Sequence, residues 1–436
     1  MRDAYRARMT TRTAPDARTA RTATDPNRFA RFWSLDPAVT FLNHGSFGAT
    51  PRAVLDRQSE LRAELEAEPL EFLDARLEPR LDEARAVLAR FVGSAADDLV
   101  FVPNATAGVN AVARSLDLAS GDELLTTDHE YNACANVLRY VAERTGAVFR
   151  CASVPACVSG PDEVASAVLG ALTDRTKLVL VDHVTSPTGT VWPVGEIVRG
   201  CRERGVRVLV DGAHAPGMLP LDLDALGADY YTANCHKWIC SPKGSAFLHV
   251  RRDRQREVRP AVISHGHNSP RTDRSRFLIE FGWTGTGDPT AYLCVPAAIE
   301  HMASLVPGGW PEIMRRNRAL ALEGRDIVRR AVESAGFASP EVAPDAMIGS
   351  IASVTLPDLP PGSPVPTPPI SNDPLRERLV GAHRVQVPVF PFPAPPGRML
   401  RVSAQLYNTQ ADYERLAAAL AEELPRSMRA GSGPAV

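Results

Sequence analysis

The sequence predicts an α/β protein with a mostly parallel sheet and helices on both of its faces. Short apolar segments alternate along the chain with stretches in which apolar residues recur at helical spacing, and this alternation is typical of parallel sheets. Several apolar segments also end at a polar residue, as at Asp182 and Asp211. Because α/β sheets bind ligands at the carboxyl ends of their strands, these residues are the first candidates for a functional site.

The segment before the predicted sheet begins with a short strand and a tight turn. Residues 40–48 contain two glycines and Asn43, which favour a turn. Thr50 and the proline after it predict the start of a helix, with Thr50 as its cap. Apolar residues at helical spacing over 81–91 predict a second helix, which ends at Gly93.

Seven strands and four helices make up the predicted α/β block. The strands are expected at 99–103, 122–127, 148–154, 177–181, 206–210, 230–233 and 246–250. The helices between them are expected around 109–116, 137–141, 164–169 and 194–198.

Composition excludes several classes of protein. The chain has 436 residues and a formal net charge of −2, so neither nucleic acid nor an acidic membrane surface is an expected partner. No apolar run approaches the roughly 20 residues of a membrane span. The seven scattered cysteines show no CxxC pair, which predicts a reducing, cytoplasmic location and neither a disulfide framework nor a metal site.

Lysine is rare in this chain, and Lys237 has neighbours that suggest chemistry. Only three of the 49 Lys and Arg residues are lysines, at positions 177, 237 and 243. Arg keeps its proton in proteins, whereas a neutral Lys amine can add to a carbonyl and form a Schiff base. Lys237 directly follows His236 and comes after a strand that ends in Asp211. Each of these residues alone is more often a solvated charge or a cap, so the hypothesis depends on their combination.

A Schiff-base lysine needs a lowered pKa. At its ordinary pKa of about 10.4, Lys is almost fully protonated at pH 7. Burial or a neighbouring cation favours the neutral amine, and we expect His236 and the apolar Trp238 to supply part of this effect. Lys243 is the rival, but its Ser-Pro-Lys-Gly context is typical of an exposed turn.

Three turns at strand ends offer further polar groups. The sequence Asn-Ala-Thr-Ala-Gly at 104–108 has small residues, which let amides such as that of Ala107 approach an anion at a helix start. Thr106 adds a hydroxyl there, although many strand-to-helix turns have this composition. His129 follows the second strand, where a surface loop histidine is the equal alternative. Ser186 supplies a hydroxyl from the loop at 183–189.

Nine segments of the chain resemble motifs of the class V aminotransferase family and occur in the same order as in that family. Within the family, they resemble the isopenicillin-N-epimerase-like branch. They are LNHGSFG (42–48), NATAG (104–108), DHEYN (128–132), HVTSPTG (183–189), LVDGAHAPG (209–217), NCHKW (234–238), PKGSAFLHV (242–250), WTGTGD (283–288) and RVSAQLYN (401–408). The resemblance implies the pyridoxal 5'-phosphate (PLP)-dependent transferase fold of the aspartate aminotransferase type. That fold has a mostly parallel seven-stranded sheet in a large domain and a smaller α+β domain.

The resemblance also implies a division of the chain. Residues 29–300 would form the large PLP-binding domain, with 29–60 contributing to the small domain at 301–425. Residues 1–28 are rich in Arg, Thr and Ala and are expected to form a disordered arm. The Pro-rich stretch at 357–374 is expected to be an exposed loop, and 426–436 a flexible tail.

The family pattern implies PLP as the cofactor and gives three residues catalytic roles. Lys237 would hold the aldehyde, Asp211 would pair with the pyridine nitrogen, and the ring of His129 would stack on the cofactor. His214 would lie near the ring hydroxyl, where many family members have Gln.

The remaining assignments concern the phosphate and the substrate. The resemblance implies that Thr106, Ala107, Asn234, His236 and Thr286 contact the phosphate. Thr286 would come from a neighbouring subunit, so a homodimer with shared sites is expected. Arg401 would bind the carboxylate of an amino-acid substrate bidentately, and Asn43 and Ser186 would line the same substrate site.

The reaction predicted first is β-elimination of an S-substituted cysteine. Cysteine desulfurases of class V carry a nucleophilic Cys on a mobile loop shortly before the carboxylate-binding Arg, whereas residues 385–396 contain no Cys and five prolines. Epimerisation of the isopenicillin N epimerase type, transamination and decarboxylating deamination remain alternatives. A PLP-fold scaffold without activity is the alternative of another class. No nicotinamide or P-loop fingerprint is present.

Overall fold

The computed structural model describes residues 28–360 and 373–429. The predicted arm at 1–28 therefore lies almost entirely outside the described residues, as does most of the predicted Pro-rich loop. Residues 426–429 of the predicted tail continue the last helix, and residues 430–436 lie outside the described part. The domain boundaries stay predictions.

Seven strands form the central sheet. They are β2 (Leu99–Val102), β3 (Glu123–Thr127), β4 (Val148–Ala152), β5 (Thr176–Asp182), β6 (Arg207–Asp211), β7 (Tyr230–Asn234) and β8 (Ala246–Val250), after a short β1 (Thr40–Phe41) outside this sheet. The order is β2-β8-β7-β6-β5-β3-β4. Neighbours from β7 to β4 are parallel, and β8 runs antiparallel to both of its neighbours. The predicted mostly parallel seven-stranded sheet is confirmed.

Helices surround this sheet. The α-helices are α1 (His44–Phe47), α2 (Arg52–Ala67), α3 (Leu77–Val92), α4 (Ala105–Ala113), α5 (Asn132–Thr145), α6 (Pro161–Gly170), α7 (Val194–Glu203), α8 (Leu223–Leu226), α9 (Arg276–Gly282), α10 (Thr290–Leu293), α11 (Val295–Ser304), α12 (Gly309–Ser334), α13 (Pro374–Gly381) and α14 (Gln410–Arg429). A π-helical turn (Glu71–Arg76) precedes α3. Short 3-10 turns lie at Ala30–Phe32, Ala96–Asp98, Arg252–Arg254, His265–Asn268 and Asp345–Met347.

Strand β5 shows why both faces of the sheet are covered. Successive side chains of a strand point to opposite faces. Leu178 and Leu180 belong to an apolar cluster with residues of α4, α5 and α9. Val179 and Val181 belong to a second cluster with residues of α6 and α7. The central residues 178–181 of the strand are therefore apolar on both faces, which is typical of a parallel sheet between two helical layers.

A second, smaller sheet is built by the C-terminal part. Its strands are β9 (Ile351–Leu356), β11 (Val389–Pro391) and β12 (Arg398–Ser403), arranged antiparallel in the order β11-β12-β9. The short β10 (Val385–Gln386) pairs in parallel with β1. Residues 40 and 41 are thereby joined to the C-terminal part of the chain.

The opening segment differs in detail from its prediction. Residues 44–47 form the one-turn helix α1, and Pro51 occupies the cap position of α2 without a side-chain cap bond. Thr50 donates its hydroxyl to the carbonyl of Ser241 instead, at 3.2 Å. The expected Thr50 cap was wrong, because a tertiary partner takes this hydroxyl.

All seven cysteines lie in the described part, and all are free. No helix within 28–360 or 373–429 is long and apolar enough to cross a membrane. The cytoplasmic location stays a prediction.

Gly48 brings the opening segment against the predicted Schiff-base lysine. Its φ of 69° and ψ of 163° lie in a region open essentially to glycine alone. A Cβ built here would lie 2.0 Å from the carbonyl oxygen of His236 and 3.1 Å from the Cα of Lys237. The two segments therefore meet backbone to backbone, with no room for a side chain.

Replacement of Gly48 by Ala should destabilise the protein more than the same replacement at an ordinary glycine with a positive φ. We expect Gly48→Ala to lower the free energy of unfolding by about 3 kcal/mol or more, since backbone strain and a backbone clash combine. Gly205→Ala is the matched control, because Gly205 has a φ of +70° and nothing within 4 Å of a built Cβ. It should lose about 1 to 2 kcal/mol. Equal losses in chemical denaturation would contradict the close approach.

Candidate active site

Lys237 follows β7 and is held through its backbone. The ring Nε2 of His44 lies 3.0 Å from the carbonyl oxygen of Lys237, and its Nδ1 lies 2.8 Å from the hydroxyl of Tyr407. Burial lowers the pKa of His44 to about 3, so the ring is neutral and donates one bond and accepts the other. Lys237 is partly buried and Lys243 is exposed, which favours Lys237 as the functional lysine.

The amine of Lys237 lies 3.1 Å from Nε2 of His214. Burial and, after it, the charge of Arg401 lower the pKa of Lys237 to about 8, although Asp211 acts in the opposite direction. The expected neighbouring cation is therefore Arg401. His236 does not have that role, because burial lowers its own pKa to about 4, and its Nδ1 lies 2.8 Å from the carbonyl of Ser245.

Asp211 ends β6 with a buried carboxyl group. Its Oδ1 accepts from the amide of Ala213 at 2.9 Å, and its Oδ2 accepts from the thiol of Cys134 at 3.2 Å. Burial raises the pKa of Asp211, while these bonds and the charge of Lys237 lower it. A protonated heterocyclic nitrogen would compensate the buried carboxylate.

Two more carboxyl groups lie beside Asp211, and sequence reasoning assigned neither of them a role. Asp182 is the register neighbour of Asp211 on β5, and its buried Oδ2 has no partner among the described residues. Ligand atoms of Glu130, Cys134 and Asp211 lie within 4.8 Å of one another. Burial raises the pKa of Glu130 and of Asp182 well above the ordinary value, and the neighbouring acids add to it. Burial thus favours the protonated form of both groups, next to Asp211.

The first turn of α4 packs closely on β7, and two of its amides, including that of the predicted phosphate contact Ala107, already have side-chain acceptors. Gly108 packs directly on β7, because a built Cβ would lie 2.1 Å from the hydroxyl of Thr232. The amide of Ala105 donates to Asn234 Oδ1 at 2.9 Å, so Asn234 fixes the helix start and keeps its Nδ2 for another acceptor. The amide of Ala107 donates to the capping Asn104 side chain at 2.9 Å. Thr106 Oγ1 lies 4.0 Å from Cys134 Sγ, which places its hydroxyl beside Asp211.

The ring of His129 is buried and has partners at both nitrogens. Nδ1 lies 3.1 Å from the hydroxyl of Thr188, and Nε2 lies 3.2 Å from the carbonyls of Val154 and Pro155. Its ring centroid is 4.8 Å from that of Phe392. The surface alternative was therefore wrong, while stacking on the cofactor stays a prediction.

Arg401, on β12, is buried at 3% exposure. Nη1 donates to the carbonyl and hydroxyl of Ser186, and Nη2 donates to Ser46 Oγ at 3.1 Å. Ser46 in turn donates to Asn43 Oδ1 at 2.6 Å. The structure thus joins the three predicted substrate residues and adds Ser46, which the opening motif contains but sequence reasoning overlooked.

This guanidinium has no acid partner in the described ranges. No salt bridge to Arg401 is found there, and its Nε is buried without an acceptor. Burial lowers the pKa of Arg401 to about 10. A buried cation without a counter-ion is costly, so a bound carboxylate would supply the missing partner.

A cavity of about 660 Å³ opens in front of Arg401. Its walls include the exposed Tyr131 and Cys151, the rim residue Arg139, and the aromatic residues Phe390 and Phe392. The pKa of Tyr131 is raised by burial, Cys134 and Asp211, and lowered by Arg401. Tyr131 therefore lies near both Asp211, on the predicted cofactor side, and Arg401, on the predicted substrate side. Sequence reasoning assigned it no role.

Thr286 is not joined to the other predicted residues by any hydrogen bond of the described chain. It is exposed, on a loop where Asp288 forms an ion pair with Arg62 of α2 at 2.7 Å. Asp288 Oδ1 also accepts from the amide of Thr290. Asp288 thus fastens this loop to the protein, and contact of Thr286 with a neighbouring subunit stays a prediction.

The donor set fits PLP. Asp211 offers a buried carboxylate to the pyridine nitrogen, and Lys237 offers an amine to the aldehyde. The start of α4 with Thr106 and Asn234 offers donors to the phosphate. His236 does not fit the predicted phosphate contact, because the neutral ring donates its single proton from Nδ1 to the carbonyl of Ser245 and its Nε2 can then only accept.

Stability without cofactor should depend on pH through Lys237. Between pH 8 and about 10.5 the unfolded chain keeps the proton of this lysine and the folded chain does not, so stability rises with pH. Lys237→Met removes the group, and the wild type should be the less stable protein below pH 8. The difference, roughly 3 kcal/mol at most, should shrink above pH 8. Parallel unfolding curves of the two proteins across this range would contradict the lowered pKa.

Comparison with known proteins identifies the family. The Aminotransferase class-V family profile matches residues 41–316. Isopenicillin N epimerase of Amycolatopsis lactamdurans is 39% identical over 89% of this chain and 96% of that protein. A putative L-cysteine desulfhydrase 2 of Oryza sativa subsp. japonica is 31% identical over 92% of this chain and 87% of that protein.

The fold comparison agrees with this assignment. The solved complex of the cystine C–S lyase C-DES with its product cysteine persulfide superposes with a TM-score of 0.73, at 24% identity, over 88% of this chain and 97% of that one. The PLP-dependent transferase fold expected from the sequence is confirmed. The chain belongs to the class V aminotransferase family and is a PLP-dependent enzyme.

Proposed function

We propose that this enzyme takes a proton from the Cα of an amino acid, with β-elimination of an S-substituted cysteine as its reaction. The observation that carries the amino-acid substrate is the buried Arg401, which lacks an acid partner in the described chain and is close enough to Lys237 for its charge to lower the pKa of that amine. A carboxylate bound by both Nη atoms would place Cα near the Lys237 amine. This binding mode orients the reacting carbon before the chemical step.

The residues of this chain divide the work. PLP, when bound, supplies an aldehyde that condenses with the amino group and a ring that accepts the electron pair left at Cα. Asp211 would hold the ring nitrogen protonated, and the α4 start with Thr106 and Asn234 would hold the phosphate. Lys237 would act as the base at Cα, since its amine is neutral above about pH 8.

We favour elimination over persulfide formation because we find no nucleophilic thiol near the substrate site among the described residues. The substrate loses its Cα proton and the bond between Cβ and sulfur breaks, so that water and substrate yield a thiol, pyruvate and ammonia. A persulfide route would need a nucleophilic thiol near the substrate. Cys151 lines the cavity, but it lies on β4 instead of a mobile loop, and burial raises the pKa of its thiol. A raised pKa favours the protonated thiol, which is a poor nucleophile.

Epimerisation is the second candidate. It is favoured by the 39% identical relative, which is named isopenicillin N epimerase, and by the position of Tyr131. Inversion at Cα needs an acid that returns a proton to the opposite side. Tyr131 is the cavity hydroxyl whose pKa responds to both Asp211 and Arg401, and we propose it for this role.

The products distinguish the two reactions. The PLP-loaded enzyme should release pyruvate, ammonia and a thiol in equal amounts from S-substituted cysteines. Deuterium incorporation with inversion at Cα and no pyruvate, in a panel of amino acids, would transfer the assignment to epimerisation. The absence of any turnover would support a scaffold without activity.

Arg401→Lys tests the binding step in the same assay. Lys keeps the charge and loses the planar fork, so catalytic efficiency should fall about 100-fold while the absorption spectrum of bound PLP is unchanged. Arg139→Lys is the matched control, because Arg139 lines the same cavity and stacks on Phe149 with its guanidinium 4.3 Å from the ring centroid. An equal loss in both variants would remove Arg401 from its assigned role.

We further propose that two chains share their sites through Thr286. Lys237→Ala and Thr286→Glu should each be inactive, because the first lacks the amine and the second directs a carboxylate at the phosphate. Mixed and refolded together, they should regain activity through hybrid dimers that contain one intact site. Lys237→Ala mixed with Arg401→Lys should regain none, since both changes affect residues of one chain's site. Full activity of a monomer at all dilutions would exclude sharing.

A further inference from the structure

Trp238 and His214 form a two-step hydrogen-bonded chain to the amine of Lys237. The indole Nε1 of Trp238 donates to Nδ1 of His214 at 3.4 Å, and Nε2 of His214 lies 3.1 Å from Lys237 Nζ. Trp238 and His214 are 0% and 2% exposed, so water does not replace either partner. No other hydrogen bond of Lys237 Nζ is found in the described part of the chain.

The segments that carry these groups are fixed against each other. Gly217, three residues after His214, has a φ of +86°, and a Cβ built there would lie 2.6 Å from the carbonyl carbon of Trp238. The indole also contacts the ring of His44, with centroids 4.8 Å apart. The indole N–H is therefore held in place toward His214.

Hydrogen-bond chemistry then determines where the protons lie. An indole N–H can only donate, so Nδ1 of His214 must offer its lone pair. Burial lowers the pKa of His214 well below the ordinary value, with Lys237, Arg401 and His44 as further causes. The ring is neutral, and its single proton is on Nε2.

That proton points at Lys237. An Nε2–H can only donate, and Lys237 can accept only as a neutral amine, because an ammonium group has three donors and no lone pair. A protonated Lys237 would require the opposite tautomer, which directs an Nδ1–H against the indole N–H of Trp238. Two opposed donors in a buried place are unfavourable.

We propose that Trp238 is a positioning residue, which fixes the tautomer of His214 and thereby keeps the amine of Lys237 free of its third proton before the cofactor binds. The amine is then ready to attack the PLP aldehyde. The titratable groups around Lys237 shift its protonation in the direction expected from their charges. Arg401 on β12 also disfavours the ammonium form, whereas Asp211 on β6, Asp182 on β5 and Cys134 on α5 favour it.

The three lysines of the chain allow a direct test. The full-length protein, freed of PLP, is acetylated with a trace of acetic anhydride over a pH series, and each lysine is quantified by mass spectrometry. Lys177 serves as the internal standard, since its side chain is half exposed. Lys237 should become reactive with a midpoint near pH 8.

Trp238→Phe keeps the ring and removes the donor. Its Lys237 midpoint should rise by about one pH unit, the shift that one net hydrogen bond supports. His214→Leu should give a similar rise, and the double variant should rise no further than His214→Leu. Trp192→Phe is the matched control, because the buried Nε1 of Trp192 has no partner among the described residues, and it should leave the midpoint unchanged. An unshifted Trp238→Phe, an equal shift in Trp192→Phe or full additivity in the double variant overturns the proposal.

A measurement on the unmodified protein covers the case in which a variant does not fold. ¹⁵N-histidine spectra of the PLP-free wild type, with His214 assigned by its loss in His214→Gln, should show a bare Nδ1 and a protonated Nε2. The opposite tautomer overturns the proposal.

Discussion

Among the described residues, the buried guanidinium of Arg401 has no carboxylate partner, and its charge acts on the amine of Lys237; much of the site depends on this pair of basic groups. Two positive groups in a place with little water repel each other, and the lysine yields because its amine can lose a proton whereas the guanidinium keeps its own. Hydroxyl and carbonyl oxygens of Ser46 and Ser186 stabilise Arg401 without neutralising it. The site thereby keeps a charge for the substrate and a neutral base for the reaction.

The sequence predicted the fold and the principal residues because both follow from short-range patterns. Apolar segments that end in polar residues identify parallel strands and the edge where ligands bind. Asp211 and the segment of Lys237 follow neighbouring strands of the sheet, so their proximity needs only the strand order. Arg401 comes from another sheet, and only the family motif around it made its role predictable.

Side-chain partners were beyond prediction, because they depend on long-range packing. Nothing near Thr50 in sequence indicates that Ser241 takes its hydroxyl. Sequence assigned His236 as the cation beside Lys237, yet burial makes it neutral and Arg401 has that effect. Glu130 is buried beside Asp211, although an isolated Glu in a loop is usually exposed. The bond from Trp238 to His214 joins two motifs that were both recognised, but their mutual orientation is a property of the folded chain.

The contacts that hold the backbone of Lys237 also have a consequence for biosynthesis. His44 and Gly45 precede their partners Tyr407 and Ser403 by 363 and 358 residues. During translation the opening segment must wait for these distant residues before it can hold the backbone of Lys237 in its final place. A nascent chain that has completed the seven-stranded sheet therefore still lacks both these contacts and Arg401, and the site is finished only after residue 407 has been made.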